Sequence, residues 1–133
     1  MTRVVLDTNV ASFLIQETPE FRLYESAIGS HEVEIAFQTV AEILDGADKR
    51  GFGGKKRRAL LAFIGRMTVV PYSFDLAREY ARVRNVSRRQ GRELLVADAW
   101  VAASAIHRKA QLLTHDADFV GVKIPGLHVV SFA

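Results

Sequence analysis

Short apolar runs of strand character alternate with helical patterns along the whole chain, and such alternation leaves few folds open. Val4-Val5-Leu6 reads as a buried strand and Val10 to Ile15 as a short helix. Thr18-Pro19-Glu20 combines a cap, a proline at the first helical position and an early acid, so a second helix is predicted from Pro19 to Ile28. Val33-Glu34-Ile35-Ala36-Phe37 alternates like a strand, and Thr39 is placed to cap the helix that carries Glu42. Gly51-Phe52-Gly53-Gly54 breaks the chain before a helix over Lys56 to Arg66, whose apolar stripe is Leu60, Ala62, Phe63 and Ile64. A strand at Met67 to Pro71, helices at Phe74 to Arg84 and Leu94 to Lys109, and strands at Gln111 to Thr114 and Leu127 to Phe132 complete the series. Parallel neighbours need crossovers, and right-handed crossovers lay helices over the sheet. The expectation is therefore one α/β domain over residues 1–133, three layers α/β/α around a mainly parallel sheet of about five strands.

Four acids stand where such a fold would aim them at one point. Asp7 ends the first apolar run and is followed by Thr8-Asn9, so its carboxylate emerges at the carboxyl end of a strand, where open parallel sheets build their sites. Asp116 follows Leu112-Leu113-Thr114-His115 and repeats that geometry. Glu42 and Asp98 lie in apolar helical surroundings, Val40-Ala41-Glu42-Ile43-Leu44 and Val96-Ala97-Asp98-Ala99-Trp100-Val101, where an unpartnered carboxylate is costly to bury. Carboxylates a few ångströms apart repel and raise one another's pKa unless a cation neutralises them. Hard oxygen donors select Mg²⁺ or Mn²⁺. Taken singly, each acid has a plainer role: Asp7 as cap of the next helix, Asp98 as an early-helix acid, Glu42 as a solvated helix residue, Asp116 and Asp118 as turn residues. Their coincidence in one chain favours a metal site.

The four segments Val5-Leu6-Asp7-Thr8-Asn9, Thr39-Val40-Ala41-Glu42-Ile43, Ala97-Asp98-Ala99-Trp100-Val101 and Leu113-Thr114-His115-Asp116-Ala117-Asp118-Phe119, in this order, resemble the PIN-domain ribonucleases. The chain length is similar to that of the VapC toxins within that family. The resemblance spans the whole chain and implies a Mg²⁺-dependent endoribonuclease, with Mn²⁺ able to substitute, that hydrolyses RNA phosphodiester bonds. Asp7, Asp98 and Asp116 are expected as metal ligands, and Glu42 as a ligand or as the base that orients the attacking water. Thr8, Asn9 and Thr114 are expected to hydrogen-bond the carboxylates or their waters, with Asp118 auxiliary. The family further implies a homodimer and a cognate VapB-type antitoxin.

Two basic clusters suit a polyanionic partner. Lys49-Arg50 and Lys55-Lys56-Arg57-Arg58 flank the glycine break with no acid between Lys49 and Arg58, and Arg82, Arg84, Arg88, Arg89 and Arg92 form the second group. Lys55, Lys56, Arg57, Arg58, Arg88 and Arg89 are the candidate RNA contacts, the alternative being a solvated helix face. The net charge of +3 permits RNA without demanding it. The glycine break is no phosphate-binding P-loop, since the G-x-x-x-x-G-K-[S/T] spacing fails. With no cysteine there are no disulfides or thiolate zinc sites, and the reducing cytoplasm is the expected compartment. No run approaches the length of a membrane span, and polar Asp7, Thr8 and Asn9 interrupt any export signal near the start. Among the histidines only His115, beside Asp116, is of interest, and Trp100 reads as core. The competing function is a PIN-like or flavodoxin-like metal-binding interaction module without nuclease activity. Against a flavodoxin-like receiver, Gln111 to Asp118 contains no lysine.

Overall fold

The computed structural model describes residues 2–133. Five strands, β1 (Arg3–Leu6), β2 (Glu32–Ala36), β3 (Thr68–Val70), β4 (Gln111–Leu113) and β5 (Val129–Val130), form one sheet in the order β3-β2-β1-β4-β5. Every pairing is parallel; Val5 lies level with Glu34 on one side and Leu112 on the other. Six helices accompany them: α1 (Thr8–Gln16), α2 (Glu25–Ile28), α3 (Phe37–Lys49), α4 (Gly54–Ile64), α5 (Phe74–Arg89) and α6 (Val96–His107). Among the described residues no helix is long and apolar enough to cross a membrane.

Successive side chains of a strand point to opposite faces, and both faces here are covered. Val4, Leu6, Ile35 and Leu113 pack with Val10, Ala11, Ile43, Ala47 and Leu60 of α1, α3 and α4. Val5, Ala36, Val70 and Leu112 pack on the other face with Leu76, Val83, Ala99, Val101, Ala102, Ala103 and Ala105 of α5 and α6. The division follows from handedness: β1, β2 and β3 step in one direction across the sheet, while the return to β4 crosses the opposite face. Helix α6 is apolar nearly all round and rich in alanine, which suits burial against the sheet.

This three-layer arrangement is the one predicted. Its strand order reverses between β1 and β4, so the chain leaves these neighbouring strands in opposite directions and opens a crevice at their carboxyl ends. Flavodoxin-like sheets have the order 2-1-3-4-5; the observed order excludes that alternative.

Some boundaries differ from expectation. The helix predicted from Pro19 to Ile28 is divided into a 3-10 segment Pro19–Leu23 and α2, with Tyr24 at the break. Thr39 does not cap α3, which starts at Phe37 directly after β2; Thr39 is buried in its first turn. Helix α5 runs on to Arg89, five residues beyond the predicted Arg84, and α6 begins at Val96 rather than Leu94. Strand β5 keeps only Val129–Val130 of the predicted Leu127 to Phe132. Glu34, a polar letter in an alternating run, is fully buried: Arg108, just past α6, donates to it through Nε at 2.7 Å and Nη2 at 2.9 Å, and Arg3 Nε lies 3.4 Å away.

Candidate metal centre

Asp7 is drawn into the crevice by the backbone that precedes it. Its N–H continues the β1–β4 ladder to Leu113 O at 2.9 Å, and its carboxylate caps α1 by accepting from Thr8 N at 2.8 Å. The helix-cap reading of Asp7 is thus correct, and it accounts for one oxygen only. The other oxygen accepts from Thr114 Oγ1 at 2.7 Å. Asp7 is 5% exposed, and burial is the first cause of its raised pKa, opposed by these two hydrogen bonds and reinforced by the charges of Asp116 and Glu42.

Thr114 ties the second strand end to the first. Its Oγ1 donates to Asp7 and accepts from Asp116 N at 3.0 Å, so the two aspartates are spaced by a single hydroxyl. Asp116 in turn caps a short 3-10 turn, Ala117–Phe119, accepting from Asp118 N at 2.9 Å. Asp98 enters from α6, in its first turn, where the helix macrodipole favours an acid. One carboxylate oxygen from each of Asp7, Asp98 and Asp116 lies within 4.8 Å of the others.

Glu42 stands beside this trio rather than within it. It is exposed on α3, not buried as its apolar neighbours suggested, because Ala41 and Glu42 lie on the outer side while Thr39, Ile43 and Ala47 face inward. Thr8 Oγ1 donates to its Oε1 at 3.1 Å and lies 3.3 Å from Thr39 Oγ1. Asn9 accepts from Val10 N at 2.8 Å and from His115 N at 3.2 Å, so its side chain pins β4's end to the start of α1 and bonds to backbone rather than to carboxylate. Asp118 is exposed at the rim.

Among the described residues no Lys or Arg forms an ion pair with any of these five acids. Burial, then the charges of Asp7, Asp116, Asp118 and Glu42, push the Asp98 carboxyl up to about 7. Crowded carboxylates without a counter-charge, all hard oxygen donors, fit a divalent cation. The acidic cluster can therefore hold a metal ion, with the third acid supplied by a strand end that joins the site only through the sheet.

A family model for the PIN domain matches residues 4–124. This chain belongs to the PIN-domain family. Ribonuclease VapC5 of Mycobacterium tuberculosis is 32% identical over 124 residues, covering 89% of this chain and 86% of that protein. Toxin FitB of Neisseria gonorrhoeae is 29% identical over 126 residues, covering 85% and 87%. Among solved structures, the DNA-bound VapBC of Salmonella typhimurium superposes with a TM-score of 0.77 at 26% identity, over 100% of both chains. The PIN domain seen here is thus of the VapC type.

The basic clusters of this PIN domain are less free than their sequence suggests. Arg57 is tied to Asp48 at 2.6 Å and to Phe52 O at 2.8 Å, and Lys49 to Asp45 at 3.0 Å; helix geometry returns acids that the local spacing left out. Arg84 and Arg88 share Glu93 at 2.5 and 3.1 Å, and Arg82 pairs with Glu79. Lys55, Lys56, Arg58 and Arg89 remain exposed, Lys56 with its ammonium 5.2 Å from the Phe52 ring centre. A cleft of 280 Å³ lies beside Glu42, lined by Thr8 and Glu42 and also by Lys49, Arg50, Phe52 and Leu60. Trp100 packs as expected, stacked on Tyr80 with centroids 4.1 Å apart. His115 is half-buried, its Nδ1 2.6 Å from the hydroxyl of fully buried Tyr24. Nothing in the local sequence marks Tyr24; its partners are 90 and more residues distant.

Proposed function

We propose that this chain is a metal-dependent endoribonuclease, the toxin of a toxin–antitoxin pair, using Mg²⁺ or Mn²⁺. The observation that carries it is the convergence of Asp7, Asp98 and Asp116 at the strand-order reversal, with no cationic partner among the described residues. Family membership supports the reading, as do relatives named ribonucleases. Asp7, Asp98 and Asp116 would hold the ion, which when bound neutralises charge at the phosphate and acidifies a water beside it. Asp7 is fixed for that duty by Thr8 and Thr114, each holding one of its oxygens. Glu42 keeps one oxygen on Thr8 and leaves the other to accept a proton from, or orient, the attacking water. Asp118 would adjust the charge at the rim. Lys55, Lys56, Arg58 and Arg89 would follow the RNA backbone, with Arg57 and Arg88 partly spent on acids of this chain.

The partner would be a VapB-type antitoxin, since structural neighbours are VapBC complexes, and the active form a cytoplasmic homodimer. Purified protein should cut RNA with Mg²⁺ or Mn²⁺ and lose that activity in EDTA. Undiminished cutting by a rigorously metal-free preparation would remove the nuclease reading. Expression of the chain alone should arrest growth, and co-expression of its antitoxin should restore it. A folded, harmless wild type would leave the fold standing and end the toxin reading.

A further inference from the structure

Tyr24 is the break between the 3-10 segment and α2, and no part of its side chain reaches solvent. Its hydroxyl meets three partners: Thr114 O at 2.8 Å, Phe132 N at 3.1 Å and His115 Nδ1 at 2.6 Å. A phenol has one proton and two lone pairs. The carbonyl can only accept, so the phenolic proton goes to Thr114 O. Phe132 N–H donates to the oxygen, and His115 Nδ1 must then be the second donor. All three hydrogen-bonding capacities are used, as a buried hydroxyl requires.

The position of this hydroxyl in the sheet is unusual. Leu112 N bonds to His128 O, and Thr114 N to Val130 O at 3.1 Å; the next bond of that parallel ladder would run from Phe132 N to Thr114 O. Instead the chain passes Phe132 N–H to Tyr24 Oη and Tyr24 O–H to Thr114 O. The tyrosine oxygen is inserted between β4 and the chain after β5, replacing a direct strand–strand bond with a relay. That accounts for the end of β5 at Val130. It also fixes the backbone at the point where β4 departs toward Asp116. Phe13 and Tyr24 bracket the His115 ring edge-on at 5.3 and 5.7 Å, and the Phe132 ring lies edge-on to Tyr24 at 5.2 Å, so the wedge is packed on several sides.

We propose that Tyr24 is a positioning residue for the acidic site: its hydroxyl parts β4 from the chain after β5 and thereby sets the Thr114–Asp116 turn so that Asp116 meets Asp7 and Asp98. The inference rests on the metal-site reading above. Thr114 is the common element, because its carbonyl takes the Tyr24 proton while its hydroxyl spaces Asp7 from Asp116. Without the hydroxyl, the Phe132 N–H can close directly on Thr114 O, drawing the strand ends together and swinging Asp116.

The test is direct Mn²⁺ binding by the full chain, followed by the resonance of free Mn²⁺, with the melting temperature of the metal-free protein measured alongside. Tyr24→Phe keeps the ring and should weaken Mn²⁺ binding by about tenfold or more, the usual cost of losing a group that orients a ligand. Cleavage should show a lowered kcat at saturating RNA with KM little changed. His115→Phe keeps the edge-on packing, removes one donor of the same relay and should shift Mn²⁺ affinity in the same direction, which keeps the test open should Tyr24→Phe fold poorly. Phe132→Ala keeps its backbone N–H and should lower the melting temperature while leaving Mn²⁺ affinity alone. If Tyr24→Phe and His115→Phe melt early yet bind Mn²⁺ like wild type, Tyr24 is only a core residue and the inference is overturned. A wild type that binds no Mn²⁺ would fail at the prior step, the metal-site reading itself.

Discussion

Asp98 shows how one residue can be unfavourable to the fold and necessary to the site. In the folded, metal-free chain its carboxyl is raised from the ordinary 3.8 to about 7, by burial first and by four acidic neighbours after it. The folded state therefore holds its proton more tightly than the unfolded chain does. Between pH 3.8 and about 7 the native state binds more protons, so this group's contribution to stability is full below that window and is lost as pH rises through it. Asp7, also raised, acts in the same direction. The metal-free wild type should melt progressively lower from pH 5 to pH 7, and Asp98→Asn should flatten that slope, melt no lower than wild type at neutral pH, and be inactive. Metal binding must expel the proton, so Mn²⁺ affinity should fall as pH drops below about 7. Added metal should stabilise the wild type by about 2.7 kcal/mol at a hundredfold excess over Kd, and the mutant much less. If Asp98→Asn melts far below wild type and still responds normally to metal, Asp98 is a structural cap and the site is misassigned.

At the level of elements, two features explain which parts of the fold were legible. Strands β1 and β4 could be read as short apolar runs because, covered on both faces, they have no polar side to show. The same covering made Glu34 misleading: in a sheet with helices on both faces, a polar letter at an alternate position does not face water. It faces α6, where Arg108 meets it with two hydrogen bonds. Arg108→Met should therefore leave a buried carboxylate with only Arg3 nearby and cost about 3 kcal/mol in urea unfolding. Glu34→Leu added to Arg108→Met should recover most of that loss. Equal stability of the single and double variants would show that the carboxylate left without Arg108 carries no penalty. The division at Tyr24 was hidden for a related reason. Thr18, Pro19 and Glu20 are good helix-start residues, but the hydroxyl of Tyr24 is satisfied past the carboxyl end of β4, 90 residues away, and the helical run breaks at Tyr24.

Over the whole molecule, the basic surface and the acidic crevice have different origins. The crevice is made by topology, whereas the cations are scattered on α3, α4, α5 and their loops, and several are neutralised by acids of their own helix, of the helix before or of the loop after it. Arg57 serves Asp48 and the end of α3, so of the four residues Lys55, Lys56, Arg57 and Arg58 three are available for phosphate. Replacing all four with Gln should raise KM for RNA. It should also reduce the log–log salt slope of binding by about 0.7 for each phosphate no longer neutralised on a single strand, about 2 in all for three. Arg57→Gln alone should lower stability and leave the salt slope nearly unchanged. A quadruple variant with the wild-type slope would make this face solvated surface and move the RNA path toward Lys49 and Arg50, which line the cleft beside Glu42.

The alternating elements, the two strand ends that carry Asp7 and Asp116, and the candidate acids could all be read from the amino-acid sequence, because these depend on hydrophobic period and on a costly charge in an apolar segment. Pattern alone did not determine which acids share a point; the resemblance to PIN domains pointed to Asp7, Asp98 and Asp116, and the folded sheet brings those three together. Asp7 and Asp116 are 109 positions apart in a chain of 133, and they meet only because β4 returns beside β1 after the sheet has grown the other way. Nor could pattern place Glu42 outside that trio, since its position depends on how α3 is rotated over the sheet, with Thr39 turned toward Thr8. The relay through Tyr24, Thr114 and Phe132 is likewise tertiary, for a hydroxyl reports its partners only once distant backbone is brought within hydrogen-bond reach. Hydrophobic pattern is local and survives in the sequence; the meeting of charges is a property of closure, and only the folded sheet decides it.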